Sequence, residues 1–520
     1  MVNIVGAGLA GLSAAITLAR QGVSTNLISV QPSERAQSVL AEGGINAALD
    51  TMGEGDSVSD HYQDTIKGGC FLESEESVKA LTENAPQIVR KLINLGVPFN
   101  AEKGKLVLRN FGGQKKKRTA FAKSSTGKMI MTALIDEARK YEASGVIKRY
   151  PNHEMVDISI SEGKIENLLV RDIFSLKLLS FSGPAIICCG GLNGFFEGMT
   201  TGTTANTGNV QALLFEKGVE FANLEFIQYH PTTVEITGKR LLVSEAARGE
   251  GGRLFTNKNG TRWYFMEEKY PEFGNLMPRD VVSREVFMLD REQGCDGQVY
   301  LDMTEIGSDI WDRKLNDLRK ELIDYLGKDP KKDPIPVSPG MHYFMGGIRV
   351  NRYHETNIKG LYAAGEAAAR YHGANRLGGN SMLGAIFGGK TAAENIKKYD
   401  MPGSVKEENR ILQDKSEEKN RKGLKNILLK GLGIVRTYKD LRYTVDEIEK
   451  LLLSSDMPEI DRKRAYLGLA MGRSALERKE SRGAHFREDY PEPSDEYRKQ
   501  TVAVFEKGDV RICFKELENL

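Results

Sequence analysis

The polar residues able to do chemistry in this chain fall into three groups. The first joins Gln228-Tyr229-His230-Pro231-Thr232 to Val243-Ser244-Glu245-Ala246-Ala247-Arg248-Gly249-Glu250-Gly251-Gly252. The second is Pro278-Arg279-Asp280-Val281-Val282-Ser283-Arg284, and the third pairs His342 with Arg376. Singly, each has a structural explanation: a histidine fixed beside a proline, a Ser-Glu-x-x-Arg ion pair at a helix start, an Asp280 that favours a helix dipole. Collectively they supply imidazole and guanidinium donors suited to a small dianion, with Arg376 able to grip a carboxylate in bidentate fashion. The electrophilic carbon of an unsaturated diacid needs one carboxylate polarised and a proton delivered on the opposite face, which calls for groups from two domains.

The elements that must position them begin at the N-terminus. Asn3–Val5 is a short apolar run entering Gly6-Ala7-Gly8-Leu9-Ala10-Gly11, and a helical pattern follows, with Leu12, Ala15, Ile16 and Ala19 on one face and Gly22 at its stop. Thr25–Val30 completes a βαβ unit. Gly6 permits the tight turn, Gly8 lets backbone approach a pyrophosphate, and Gly11 lets helix pack on strand. A glycine triplet alone also describes an ordinary turn, but its place between strand and helix favours a dinucleotide. Where an acid usually takes the ribose hydroxyls, Leu27-Ile28-Ser29-Val30 offers only Ser29, which weakens a nicotinamide reading. Gly190 and Gly191 end a buried strand and read equally as a strand-ending turn or a cofactor contact. Gly365-Glu366 ends another strand and presents a carboxylate to ribityl hydroxyls. His372–Ser381 leads into a small-residue helix, Leu383–Ala393, whose N-terminus can face a flavin or an anion. A flavin beside the dianion pocket means hydride transfer to or from a carbon between two carboxylates.

A chain of 520 residues implies several domains, and 40% hydrophobic with 28% charged residues describes a globular protein. The net charge of +2 gives no global field for nucleic acid or an anionic membrane, and Lys115-Lys116-Lys117-Arg118 lacks the interleaved aromatics of a base-stacking surface. No apolar run reaches the roughly 18–20 residues of a membrane span, and a strand starting almost at Met1 leaves no room for a signal peptide, so the expected location is cytoplasmic. Cys70, Cys188, Cys189, Cys295 and Cys513 have no cluster spacing; no metal site or disulfide framework is expected. Helices are expected at Ser77–Leu95 and after Gly127, and short strands over Val146–Leu179 with a turn at Ser161–Lys164. The fold class expected is α/β. A Rossmann-like binding domain is expected over 1–225 and 340–395, an inserted α+β domain over 226–339, a helical domain over 396–490, and an extended tail over 491–520.

The motifs resemble one family in order and spacing. GAGLAGLSAA, the run Ala41-Glu42-Gly43-Gly44-Ile45-Asn46-Ala47-Ala48-Leu49, Phe111-Gly112-Gly113 with Arg118-Thr119-x-Phe121-Ala122, QYHPT, SEAARGEGG, PRDVVSR, HYFMGG, HGANRLGGNS and Glu480-Ser481-Arg482-Gly483-Ala484-His485 are similar to the fumarate reductase/succinate dehydrogenase flavoprotein family from residue 3 to about 490. The resemblance implies that the inserted α+β domain is a capping domain. It implies FAD, with contacts from Gly6, Ala7, Gly8, Ala10, Gly11, Ser29, Gln37, Ser38, Ala41, Glu42, Gly43, Gly44, Gly190, Gly191, Asn209, Glu366, Ser381 and Leu383. It implies that His342 and Arg376 hold one carboxylate of a small dicarboxylate and that His230, Ser244 and Glu245 hold the other. Arg279 becomes the proton donor, resupplied through Glu245 and Arg248. An arginine acid is physically uncomfortable, since its solution pKa exceeds about 12, unless the proton is lost only transiently while another replaces it.

Departures from the family pattern sharpen the reading. Gln37 stands where membrane-bound members carry the histidine bonded to the flavin 8α carbon, so FAD is expected to be non-covalent and fumarate reduction favoured over succinate oxidation. Thr207-Gly208-Asn209-Val210 replaces Thr-Gly-Asp-Gly, and Gly384 replaces an acid. L-aspartate oxidase, which shares the fold and non-covalent FAD, is the nearest alternative; a non-catalytic flavin-binding protein is a second. Electrons are expected from an iron–sulphur subunit or a soluble carrier, possibilities the sequence leaves open, with peripheral attachment at the inner membrane face through such partners.

Overall fold

The computed structural model describes residues 1–396, 403–409 and 416–517. Its first layer is a five-stranded parallel sheet in the order Leu361–Ala363, Ala185–Ile187, Val2–Val5, Thr25–Ser29, Ile147–Pro151. The strands are short, and all but the edge strand Ile147–Pro151, where Lys148 and Pro151 are exposed, are buried, as expected of a parallel sheet covered on both faces. Residues 6–8 turn the chain from Val2–Val5 into the helix Leu9–Ala19. Gly11 is required there by packing: a Cβ would lie 1.8 Å from the Gly6 carbonyl oxygen. The helix Asn380–Ile396 packs across it so closely that a Cβ on Gly389 would lie 2.1 Å from the Ala10 carbonyl oxygen. Helix Thr126–Ala143 and helix Glu75–Asn94 complete this side, near the expected positions. His153–Ser161 and Lys164–Asp172 form the expected hairpin, with Glu162 and Gly163 at positive φ in its turn.

The inserted portion is a second sheet of six antiparallel strands with its own core, in which Trp311, Leu315, Leu318 and Leu322 of the helical segment pack against Leu254, Val299 and Leu301. Phe111, from the first portion of the chain, is buried in that same core. The strands that enter and leave it, Ile227–Ile236 and Ile335–Phe344, pair with each other, Gln228 opposite Tyr343 and His230 opposite Gly340. Because the sheet includes all of Ile335–Phe344, an expected boundary at 339 divides a strand that is continuous.

Two expectations for the C-terminal third need correction. Helices Glu418–Gly431, Tyr438–Leu452 and Glu459–Glu477 are present. However, Val405–Glu408 is a strand added to Leu178–Ser182, so the segment assigned as helical by composition starts with an edge strand. Residues 397–402 and 410–415 lie outside the described set. The final residues are no detached tail: Gln500–Glu506 and Asp509–Lys515 form a hairpin that pairs with Phe221–Ala222 and closes a five-stranded sheet. Alternation of Val510 and Ile512 with Asp509 and Arg511, and Gly508 at φ +82° in the turn, is the hairpin signal within that stretch.

Candidate functional site

A cavity of about 650 Å³ runs from the turn at Gly6–Ala10, past Ser29, Gln37–Gly44, Gly190 and Glu366, to a polar end at His230, Ser244, Glu245, Arg279, His342 and Arg376. Helix Leu9–Ala19 opens on this cavity with Gly8, which has no side chain to cap it, at its N-cap and no acidic residue in its first turn, so its positive end can take a phosphate. The Ser38 hydroxyl accepts the Leu9 N–H at 3.2 Å. The Ser29 hydroxyl donates to the Gln31 carbonyl, which leaves its lone pairs toward the cavity. Burial pushes the Glu366 carboxyl up to about 7, although it accepts the Phe344 N–H at 3.1 Å. A long cavity, a helix start free of acidic residues and a carboxyl of this kind fit a flavin dinucleotide.

The polar end is built by strand periodicity. Gln228 and His230 are two residues apart on Ile227–Ile236, so both project to one face, while His342 comes from the partner strand. The two imidazole rings are 5.2 Å apart, edge to face. His230 Nδ1 lies 3.2 Å from the Thr232 carbonyl and 3.3 Å from the Thr232 N–H, two contacts that suit opposite tautomers of the ring, and both hold the imidazole in place at the cavity wall. His342 Nδ1 is paired with the Thr201 hydroxyl at 2.7 Å. Burial, reinforced by the charge of Arg279, holds both histidines far below the ordinary value, so both are neutral at pH 7.

Glu245 is the hinge of a buried row of charges. Its Oε2 accepts Arg279 Nε at 2.8 Å and Nη2 at 2.6 Å, and its Oε1 accepts the Gly112 N–H at 2.8 Å and lies 3.6 Å from Arg248 Nη2. Burial pushes this carboxyl up, but Arg279, Arg248 and the Gly112 N–H outweigh it and leave it below the usual carboxylate range. Arg248 is behind Glu245, away from the cavity lining, with Nε and Nη2 lacking hydrogen-bond partners and Nη1 on the Asn275 carbonyl. Arg376 lies over the Tyr343 ring at 4.3 Å, and burial followed by the charge of Arg279 pushes it down to about 9. With the histidines neutral, Arg248, Arg279 and Arg376 against Glu245 leave two uncompensated positive charges, the complement of a dicarboxylate dianion.

Several predicted contacts take other places. Gly11 and Leu383 are packing positions outside the lining, which at the second helix consists of Ser381, Met382 and Ala385. Gly191 is also outside it and makes room for Glu366, whose Oε1 would be 2.6 Å from a Cβ there. The Asn209 side chain accepts from Arg464, and the cavity is lined instead by Gly208, Val210 and Gln211. Ala7, Ala41, Glu42, Gly43 and Gly44 all line it, as does Gln37, whose Oε1 accepts the Thr203 N–H. Sequence reasoning missed Gln228, Thr201, Thr203 and Asn375; the alternation of Gln228 with His230 is the one signal that could have found the first. Gly384 has a structural context: a Cβ there would lie 3.3 Å from the His372 ring.

A family model described as FAD binding domain matches residues 2–382, and one described as fumarate reductase flavoprotein C-term matches residues 462–519. The succinate dehydrogenase flavoprotein subunit of Bacillus subtilis (strain 168) is 38% identical over 546 residues, covering 96% of this chain and 93% of that protein. The chain belongs to the fumarate reductase/succinate dehydrogenase flavoprotein family. Like its family, it is an FAD-dependent oxidoreductase. The flavoprotein subunit of an 8-methylmenaquinol:fumarate reductase from Wolinella succinogenes is 32% identical, covering 99% of this chain and 90% of that protein. Among solved structures, a mutant E. coli quinol fumarate reductase superposes with a TM-score of 0.88 at 29% identity, covering 100% of this chain and 97% of that one. No helix among the described residues is long and apolar enough to cross a membrane.

Proposed function

We propose that this flavoprotein interconverts fumarate and succinate, with reduction of fumarate as the favoured direction and non-covalent FAD. The observation that carries the reading is the buried row Arg248, Glu245, Arg279 meeting neutral His230 and His342 and charged Arg376 at the end of the cofactor cavity. FAD, when bound, supplies the hydride. His342 and Arg376 hold one carboxylate; His230 and Ser244 hold the other, and the two excess positive charges offset the dianion. Polarising one carboxylate makes the far alkene carbon electrophilic, and hydride addition there leaves negative charge on the neighbouring carbon. Arg279 quenches that charge with a guanidinium proton and recovers one through Glu245 from Arg248, so hydride and proton together convert fumarate to succinate. Glu245 never needs to hold the proton for long, because two guanidinium groups stabilise its anion.

Gln37 supports the non-covalent assignment, since an amide cannot form the bond a histidine makes to the flavin. Electrons are proposed to arrive from an iron–sulphur subunit or a soluble carrier, with membrane attachment, if any, through such partners; the relatives named above are themselves subunits. Assaying purified protein with fumarate and reduced viologen, and separately with aspartate and oxygen, tests the proposal. Fumarate turnover that disappears in Arg279→Gln while FAD stays bound supports it. Aspartate turnover without fumarate reduction transfers the assignment to L-aspartate oxidase, and no turnover of either leaves a flavin-binding protein.

A further inference from the structure

Gln228 is fully buried, and every hydrogen-bonding position of its amide is used. Its Oε1 accepts Arg279 Nη1 at 3.2 Å and Arg376 Nη2 at 3.0 Å. Its Nε2 donates to Asn375 Oδ1 at 2.8 Å and to the Arg376 carbonyl at 2.9 Å. Asn375, also buried, passes the pattern on, donating from Nδ2 to Asp280 Oδ1 at 2.9 Å. The direction of both amides is therefore fixed by chemistry. Flipping Gln228 would turn an NH2 group on two guanidinium groups, which can only donate, and flipping Asn375 would turn its oxygen on a carboxylate. Two aligned amide dipoles link the negative charge of Asp280 to the two positive charges at the substrate end, and such a chain strengthens its own bonds.

We propose that Gln228, aligned by Asn375 and Asp280, is the positioning residue that sets Arg279 and Arg376 relative to one another. Without the shared oxygen, two like charges in a buried site have no common anchor and move apart. Arg279 and Arg376 have different duties in the reading above, proton delivery and carboxylate binding, and the inference rests on that reading. One amide thereby couples where a carboxylate is held to where a proton arrives.

The test uses the full-length FAD-loaded protein and four substitutions, Gln228→Met, Gln228→Glu, Asp280→Leu and Asp280→Asn. Three quantities are read: FAD content, the Kd of malonate as a non-reacting dicarboxylate followed by flavin absorbance, and kcat with fumarate and reduced viologen. Gln228→Met matches the shape without the oxygen; at unchanged FAD content it should lower kcat about 10- to 100-fold and weaken malonate about tenfold, the worth of one or two hydrogen bonds to charged groups. Gln228→Glu keeps the acceptor toward the two guanidinium groups, turns its second oxygen on the Asn375 Oδ1 and Arg376 carbonyl acceptors and cancels one positive charge, so it should separate the two quantities, keeping a larger share of kcat than Gln228→Met while weakening malonate at least as much. Asp280→Leu should lower kcat, and Asp280→Asn should recover most of that loss. Wild-type kcat and malonate Kd in Gln228→Met would overturn the inference. So would losses confined to FAD content and thermal stability, which is what a purely structural amide would show. A wild-type protein that binds malonate but leaves fumarate unreduced contradicts the proposed reaction instead, and the malonate measurement still reports on Gln228.

Discussion

Replacing Glu245 with glutamine removes the carboxylate that lies between Arg279 and Arg248, and the structure determines what each neighbour loses. Arg279 now donates Nε and Nη2 to the carboxylate at 2.8 and 2.6 Å. An amide oxygen facing Arg279 would keep these as neutral hydrogen bonds, but its NH2 would then face the Gly112 N–H and Arg248, both donors. Arg248 already has Nε and Nη2 without partners, so its charge becomes uncompensated. Breaking a buried pair on one side costs about 3–5 kcal/mol of stability, and glutamine, which still accepts from Arg279, should fall near the lower value. In the proposed relay proton resupply is lost, which should lower kcat by about 10²–10⁴, a barrier increase of about 3–5 kcal/mol. Dicarboxylate binding should be retained or tightened, because the excess positive charge in the site rises from two to three. The folded-state pKa of Glu245 is depressed, so its stabilising contribution is present above the ordinary carboxylate range and is lost as pH falls through the depressed value. The difference in thermal midpoint between wild type and Glu245→Gln should therefore shrink on acidification. Viologen-linked fumarate reduction, malonate titration and thermal melts at several pH values measure these quantities. A kcat within about threefold of wild type, or weakened malonate binding with kcat intact, would refute the relay.

Other consequences are as direct. Gly11→Ala should yield little folded protein, and that without FAD, since the added carbon meets the Gly6 carbonyl oxygen at 1.8 Å; expression with normal flavin content would contradict the packing. With Gln37 in place of a histidine the FAD is proposed to be non-covalent, so acid precipitation should leave a yellow supernatant; a yellow pellet would contradict it. Six of the seven histidines are held below the ordinary value by burial, and each takes up a proton on unfolding. Stability should fall as pH drops below about 6.5, each histidine contributing about 1.4 kcal/mol per pH unit until its folded pKa is reached, measurable as proton uptake in acid unfolding. Gly384→Asp would bring a carboxylate to the ring of His372, now held at about 3, raise it, and soften that acid loss; an unchanged pH profile would count against the contact.

The cradle was legible because each of its requirements is local: a strand, a turn at positive φ and a helix that must pack on the turn are all written into residues 2–19. The charged residues at the polar end were legible by type but not by arrangement. Nothing in their spacing says that Arg248 is behind Glu245 while Arg279 faces the cavity, because that depends on how the two strands linking the domains pair. Gln228 was overlooked because an amide inside a motif with a histidine has no charge to attract notice; its importance comes from two arginines that are 51 and 148 residues away. Glycine positions misled in the other direction. Gly191 looked like a cofactor contact, yet the room it leaves is occupied by Glu366. At the C-terminus, a first strand without alternation, Val502-Ala503-Val504-Phe505, and the charged residues around it obscured a hairpin whose partner strand, Phe221–Ala222, is remote in sequence.

Anaerobic stopped-flow mixing of the dithionite-reduced protein with fumarate tests the central claim most directly. The account predicts that the flavin absorbance returns with one succinate formed per flavin, and that Arg279→Gln binds fumarate without reoxidation. A reduced flavin that ignores fumarate but is reoxidised by oxygen, with aspartate reducing it again, would contradict the account.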